Sequence, residues 1–224
     1  MTSLLEGRFA PITDQIGFVE AAAEDLADWW VAWEPEDAVY RKTRLSGSFA
    51  AILAALLPLA YNRSRVVFVP TRSLWTACFD NRPSGSDVMF IRVAAQDLAT
   101  RAVRAVSVPD ARIFSLYEPK PGALVARTRR SIGAVDDDPW AWDVLGDDEP
   151  LPFEELDSYR KRRIADRLTH EMMQRYLHAI GIDAYDDDFY APDKTAYLVQ
   201  RETRFPGDRE ITREQAQARR NTTS

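Results

Sequence analysis

The sequence predicts an α+β fold: an antiparallel sheet packed against helices at the N- and C-terminal ends of one domain spanning residues 1–200. Three observations predict it. Apolar residues spaced three and four apart, the period of a helix with one buried stripe, occur before residue 58 and after residue 153. Between them lie valine- and aromatic-rich runs of strand length. Those runs are joined mostly by hairpin-length turns, which favours antiparallel pairing over βαβ winding.

Taken in order, Ala22, Leu26, Trp29, Trp30 and Trp33 make a helical stripe from Val19 onward, and Pro35 ends it. Glu20, Glu24, Asp25 and Asp28 occupy its opposite face. Ser46 is a suitable N-cap for a second helix burying Phe49, Ile52, Leu53, Leu56 and Leu57, which breaks near Pro58. Residues 65–70 and 74–80 read as strands, and a third helix follows over about 91–100. Residues 102–108, 112–117, 124–135 and 140–145 read as further strands, with Pro119-Lys120-Pro121-Gly122 as a turn. Leu156, Tyr159, Ile164 and Leu168 mark another helix. The next one starts after the N-cap Thr169, buries Met172, Met173, Tyr176, Leu177 and Ile180, and stops at Gly181, where a left-handed cap is needed. Residues 197–200 read as an edge strand, and 201–224, polar and aperiodic, as a mobile tail.

Composition narrows the function. With 224 residues, 46% of them apolar, the chain can bury a sizeable core. A net charge of −6 repels phosphate backbones, so nucleic acid is not an expected partner, whereas a basic protein is electrostatically accessible. The longest apolar stretch, 49–61, is shorter than the roughly 20 residues a bilayer span needs, and the first residues lack a basic region followed by an apolar run. Cys78 is the only cysteine, so no internal disulfide can form. A cytoplasmic protein without membrane, metal or cofactor is the expectation.

No complete catalytic constellation is visible. If 74–80 is a strand, Trp75, Ala77 and Phe79 share one face and Leu74, Thr76, Cys78 and Asp80 the other, which makes Cys78 a buried structural thiol. Ser84-Gly85-Ser86-Asp87 lacks the paired glycines and lysine of a phosphate loop and reads as turn and cap. His170-Glu171-x-x-Gln174 fails the zinc-protease pattern at its second histidine, and His170 and His178 lie about 12 Å apart along a helix, so His170, Gln174 and His178 are placed on its solvated side. Arg160-Lys161-Arg162-Arg163 fans around the surface. Asp136-Asp137-Asp138, Asp147-Asp148-Glu149 and Asp186-Asp187-Asp188 do not follow the calcium-loop spacing and read as solvated turns.

The stretches GFVEAAAEDLADWW, LWTACFDN, FEELDSYRKRRIADRLT and YLHAIGI together resemble an uncharacterised family of soluble bacterial proteins, over most residues from 16 to 190. In size and style the chain is similar to immunity or accessory proteins of bacterial toxin systems, a resemblance that carries no catalytic residue onto it. The expectation is a non-enzymatic protein that binds another protein, a basic toxin domain for example. The carboxylates of Glu20, Glu24, Asp28, Asp136 and Asp138 would complement the partner's charge, and Trp140 and Trp142 would anchor it. The alternative is a small-molecule binder or enzyme with a pocket between sheet and helices. There Asp80, Asp87 or Asp136 would act as acids and Arg127 or Arg129 would hold an anion. Self-association into a homo-oligomer is the third option.

Overall fold

The computed structural model describes residues 3–33, 38–190, 193–203 and 207–223. It is mixed α/β and mostly sheet. Eleven strands are β1 (Gln15–Val19), β2 (Tyr40–Leu45), β3 (Leu59–Ala60), β4 (Arg65–Pro70), β5 (Thr76–Asp80), β6 (Ala102–Val108), β7 (Ala111–Glu118), β8 (Arg127–Asp136), β9 (Trp140–Gly146), β10 (Ala196–Arg201) and β11 (Glu210–Ile211). Five helices are α1 (Ala23–Trp33), α2 (Phe49–Ala54), α3 (Ile91–Asp97), α4 (His170–Ala179) and α5 (Arg213–Thr223).

Nine strands form one sheet in the order β2-β10-β4-β5-β1-β6-β7-β8-β9, and every pairing is antiparallel. The large antiparallel sheet is thus as expected, but the helices are not confined to the chain ends. α1 and α2 each follow a strand, β1 and β2, that was not legible in the sequence, and α3 stands between β5 and β6, where the third helix is expected. β1 was hidden by its position: lying mid-sheet between β5 and β6, it is buried on both faces and shows no alternation.

The two faces of the sheet carry separate cores. On one, Val66, Phe68, Cys78, Ala102, Tyr197 and Val199 meet Leu26, Ala27 and Trp30 of α1 and Ile91, Ala94 and Ala95 of α3. On the other, Ile16, Phe18, Val67, Ala77, Phe79, Phe114 and Ile132 pack against α2, α4 and the segments around Leu4, Leu168 and Tyr190. The expected facing of 74–80 holds, since Trp75, Ala77 and Phe79 lie in the second core and Cys78 in the first. Burial raises the pKa of the Cys78 thiol, which keeps it protonated.

Gly17 permits the close approach of α3 to β1. A Cβ there would stand 2.8 Å from Val88 Cβ and 2.9 Å from Ile91 Cγ2, inside van der Waals contact with two buried side chains. Gly17→Ala is therefore expected to cost about 1–3 kcal/mol, because overpacking outweighs the smaller gain in backbone entropy. Urea unfolding checks it, and an unchanged midpoint would show that α3 can shift.

The helix ends at Thr169 and Gly181 match expectation. Met172 donates its N–H to Thr169 Oγ1 at 3.3 Å, and Gly181 adopts φ +80° while the Ile182 N–H bonds back to Leu177 O at 2.9 Å. The N-cap of α2 is Ser48 rather than Ser46, its hydroxyl accepting from Ala51 N–H. Four expectations need correction. The helix expected around Leu156–Leu168 is two 3₁₀ turns, Leu156–Arg160 and Ile164–Asp166. The strand expected at 197–200 is β10, internal between β2 and β4. The stretch expected as a tail pairs β11 with β3 and buries Ile211 and Ala216. Val19 is strand rather than helix; Pro35, expected to end α1, lies outside the described residues.

Candidate functional site

The acidic face of α1 does not stay free. Glu20 lies before α1 and is gripped by Arg101, the residue preceding β6, with two hydrogen bonds of 2.7 and 2.9 Å. β2 presents Lys42 and Arg44 to α1, where Arg44 meets Glu24 at 3.3 Å and Lys42 pairs with Asp28. These three carboxylates are paired within the fold, and Glu24 and Asp28 tie α1 to the sheet. The sequence hid this because the partners of Glu24 and Asp28 come from β2, a strand its pattern did not reveal, and that of Glu20 lies 81 residues away.

The Asp136 and Asp138 carboxylates are placed differently. Both are exposed, Asp136 as the last residue of β8 and Asp138 in the turn to β9. Between Asp136 and Glu149 the chain holds seven carboxylates and no lysine or arginine, one more negative charge than the net −6 of the whole protein. Of these, Asp147 is paired with Arg127 and Arg129, at 2.8 and 3.4 Å. The other six form no ion pair among the described residues.

β9 alternates as a strand must, and the alternation separates its tryptophans from its acid. Trp140, Trp142 and Val144 turn inward onto the second core. The Arg112 guanidinium lies 4.7 Å over the Trp140 ring, and Tyr159 packs 5.0 Å from Trp142. Both tryptophans are thus held in the packing rather than displayed as anchors. Ala141, Asp143 and Leu145 turn to the opposite face, where Leu145 is 60% exposed. With Arg104, Ile113, Gly133, Val135 and Asp137 they line a shallow groove of ≈ 270 Å³ on the sheet. A second groove, of ≈ 450 Å³, continues it across β6 and β7 between Val106, Val108, Asp110 and the loop Ser84–Asp87. α1 covers β2, β10 and β4, and α3 covers β1 and parts of β6 and β7, which leaves the β8–β9 end of the same face open, with a rim of Asp87, Asp110, Asp137 and Asp143 along the two grooves.

The carboxylate and arginine pocket is not assembled. Asp80 sits on β5 and Asp136 at the end of β8, with three strands between them, so roughly 19 Å separates them at ordinary strand spacing. Arg127 is clasped by Glu118 and Asp147, and Arg129 donates to the Glu149 carbonyl. Asp80 is fully buried; its oxygens accept the N–H groups of Arg82 and Asp87, each at 3.0 Å, and Arg63 lies 3.9 Å away. It organises the 82–87 loop, in which the Ser86 hydroxyl accepts from Asp80 N–H and donates to Ile12 O; the loop is a turn, but neither Ser86 nor Asp87 caps α3, which starts after Phe90 with no side-chain cap.

One cluster that sequence reasoning missed resembles catalytic machinery. His170, expected on the solvated side, is half-buried with Nδ1 2.6 Å from Ser107 Oγ, which also accepts from the Tyr185 hydroxyl at 2.8 Å. Arg112 stands 3.5 Å from His170 Nε2. Burial, reinforced by Arg112, lowers the His170 pKa, so the ring is neutral at neutral pH. Arg112 can only donate; Nε2 must then carry the lone pair and Nδ1 the proton. A protonated Nδ1 cannot take a proton from Ser107, and among the described residues no carboxylate hydrogen-bonds the imidazole. The cluster fixes α4 to β6 and β7. His178 is exposed and pairs with Asp183.

Among the described residues no three His, Cys, Asp or Glu side chains converge as a metal site, and no helix is long and apolar enough to cross a membrane. Comparison with protein-family models, curated proteins and solved structures returned no match.

Proposed function

We propose that the protein is a non-catalytic binder of a basic protein, acting as the neutraliser of a toxin domain or an accessory protein would. The observation that carries this reading is the open sheet face at the β8–β9 end, bordered by a fourteen-residue segment with seven carboxylates and no base. An acidic field of this kind steers a basic partner and accelerates encounter, while Ile113, Val135, Ala141 and Leu145 offer the apolar floor that a stable contact needs. The carboxylates of Asp136 and Asp138 remain in this role with Asp137 and Asp143. Glu20, Glu24 and Asp28 leave it, because their charge is spent on Arg101, Arg44 and Lys42.

Partner capture from the native host tests the reading. One stoichiometric basic protein is expected to co-purify at low salt and to be released as salt rises. Neutralising Asp136, Asp137, Asp138 and Asp143 together to asparagine should weaken that complex at least about tenfold, or about 1.4 kcal/mol. Glu20→Gln with Glu24→Gln and Asp28→Asn should leave it within about twofold. Binding that survives the first variant and fails in the second overturns the proposal.

A further inference from the structure

The mode of recognition follows from how β9 ends the sheet. Asp147 N–H donates to Arg129 O at 3.0 Å, which sets the phase of the ladder. Leu145, Asp143 and Ala141, opposite Ser131, Gly133 and Val135, point their backbone groups to β8. Trp140, Trp142 and Val144 therefore point theirs outward, and no other backbone segment among the described residues pairs with them. The other outer strand, β2, is blunted by Arg41, Lys42 and Arg44, long charged side chains of the kind that protect an edge. β9 carries one charge along its length, Asp143, and that charge points to the bare face.

We infer that an extended basic segment of the partner adds to β9 as a tenth antiparallel strand. This rests on the acidic-surface reading above and says how that surface is used. The occupant's pattern is dictated from both sides. Residues hydrogen-bonded to Trp140, Trp142 and Val144 share the inner face with the two indoles and with Arg112 and Arg167, so they are apolar. Residues between them lie beside Ala141, Asp143 and Leu145 on the acidic face, so they are lysine or arginine. A second copy of this chain does not fit, because pairing β9 with itself would set each copy's acidic segment against the other's.

The test uses synthetic peptides on the intact wild-type protein, measured by titration calorimetry at low salt. A (Lys-Val)₄ peptide is expected to bind at least about tenfold tighter than Lys₄Val₄, which has the same charge and composition. N-methylation of the valine amides should abolish that advantage, since those N–H groups face β9, whereas N-methylation of the lysine amides should change affinity less than about twofold. Val144→Pro, which removes an outward N–H without breaking a bond to β8, should lose the alternating peptide alone. Equal binding of both unmethylated peptides, or tight binding of the valine-methylated one, overturns strand addition. The acidic-surface reading survives that result provided the fourfold asparagine variant loses both peptides, and falls with it if that variant binds them unchanged. A dimer of the free protein that Val144→Pro dissociates would make a second copy the occupant and would also overturn the inference.

Discussion

Glu154→Ala is expected to destabilise the protein by about 3–5 kcal/mol, a large share of the about 5–15 kcal/mol that holds an ordinary domain folded. The Glu154 side chain is fully buried and its two oxygens receive four donors. Arg130 contributes Nε and Nη2 at 2.8 and 2.7 Å, Leu151 its N–H at 2.7 Å, and Tyr159 its hydroxyl at 3.2 Å. Arg130, 8% exposed, also donates to the Asp147 carbonyl, so the pair staples the segment after β9 onto β8. Removing the carboxylate leaves a guanidinium in the interior without its counterion, and that desolvation cost exceeds the loss of contact area. Arg130→Met with Glu154→Leu is expected to be markedly more stable than either Glu154→Ala or Arg130→Ala, because a buried ion pair is worth far less than its broken half costs. Urea unfolding of these variants decides it. A Glu154→Ala protein within about 1 kcal/mol of wild type would mean that water reaches Arg130.

The parts of the fold that the sequence revealed are those whose burial differs between two faces or whose backbone needs a particular residue. α4 was legible from Thr169 to Gly181 because a hydroxyl cap, an apolar stripe and a left-handed glycine all agree. β9 was legible from the alternation of Trp140 and Trp142 with Ala141 and Asp143. β2 escaped because it reads Tyr-Arg-Lys-Thr-Arg-Leu, polar on an outer strand, and its basic side chains are satisfied by α1 and Glu202 rather than by anything adjacent in the chain. The candidate site divided on the same ground. Asp136 and Asp138 stayed on the surface, as a local acidic turn suggests. Glu20, Glu24 and Asp28 were withdrawn by partners 14 to 81 residues away, as in Asp28 with Lys42 and Glu20 with Arg101. Ser107, His170 and Tyr185 were brought together across separations of 63 and 78 residues, and no local pattern records such a meeting.

Asp80 is expected to make stability fall as pH rises from about 4 to about 7. Burial pushes its carboxyl up to about 7 from the ordinary 3.8, against the opposing pull of the Arg82 and Asp87 N–H groups and of the Arg63 and Arg82 charges. In the unfolded chain the group gives up its proton near the ordinary value. Between those two pH values the folded state holds more protons than the unfolded one, so each step upward in pH favours unfolding. Below the window both states are protonated and the contribution is constant; above it both are ionised and the whole penalty is felt. At about 1.4 kcal/mol for each pH unit of the interval, the loss amounts to about 4 kcal/mol. Asp80→Asn cannot ionise, so it should lose this component of the pH dependence. It gives up one acceptor for the Asp87 N–H and should be the less stable protein at pH 4.5, but should gain on wild type as pH passes 7. Unfolding free energies of the two proteins across that range decide the matter. A difference that stays constant with pH would mean that Arg63 and the two N–H donors hold Asp80 ionised throughout. The consequence reaches the binding surface, since Asp80 anchors the Ser84–Asp87 loop that walls the groove beside Asp110, and weakening that anchor loosens one rim of the bare sheet face.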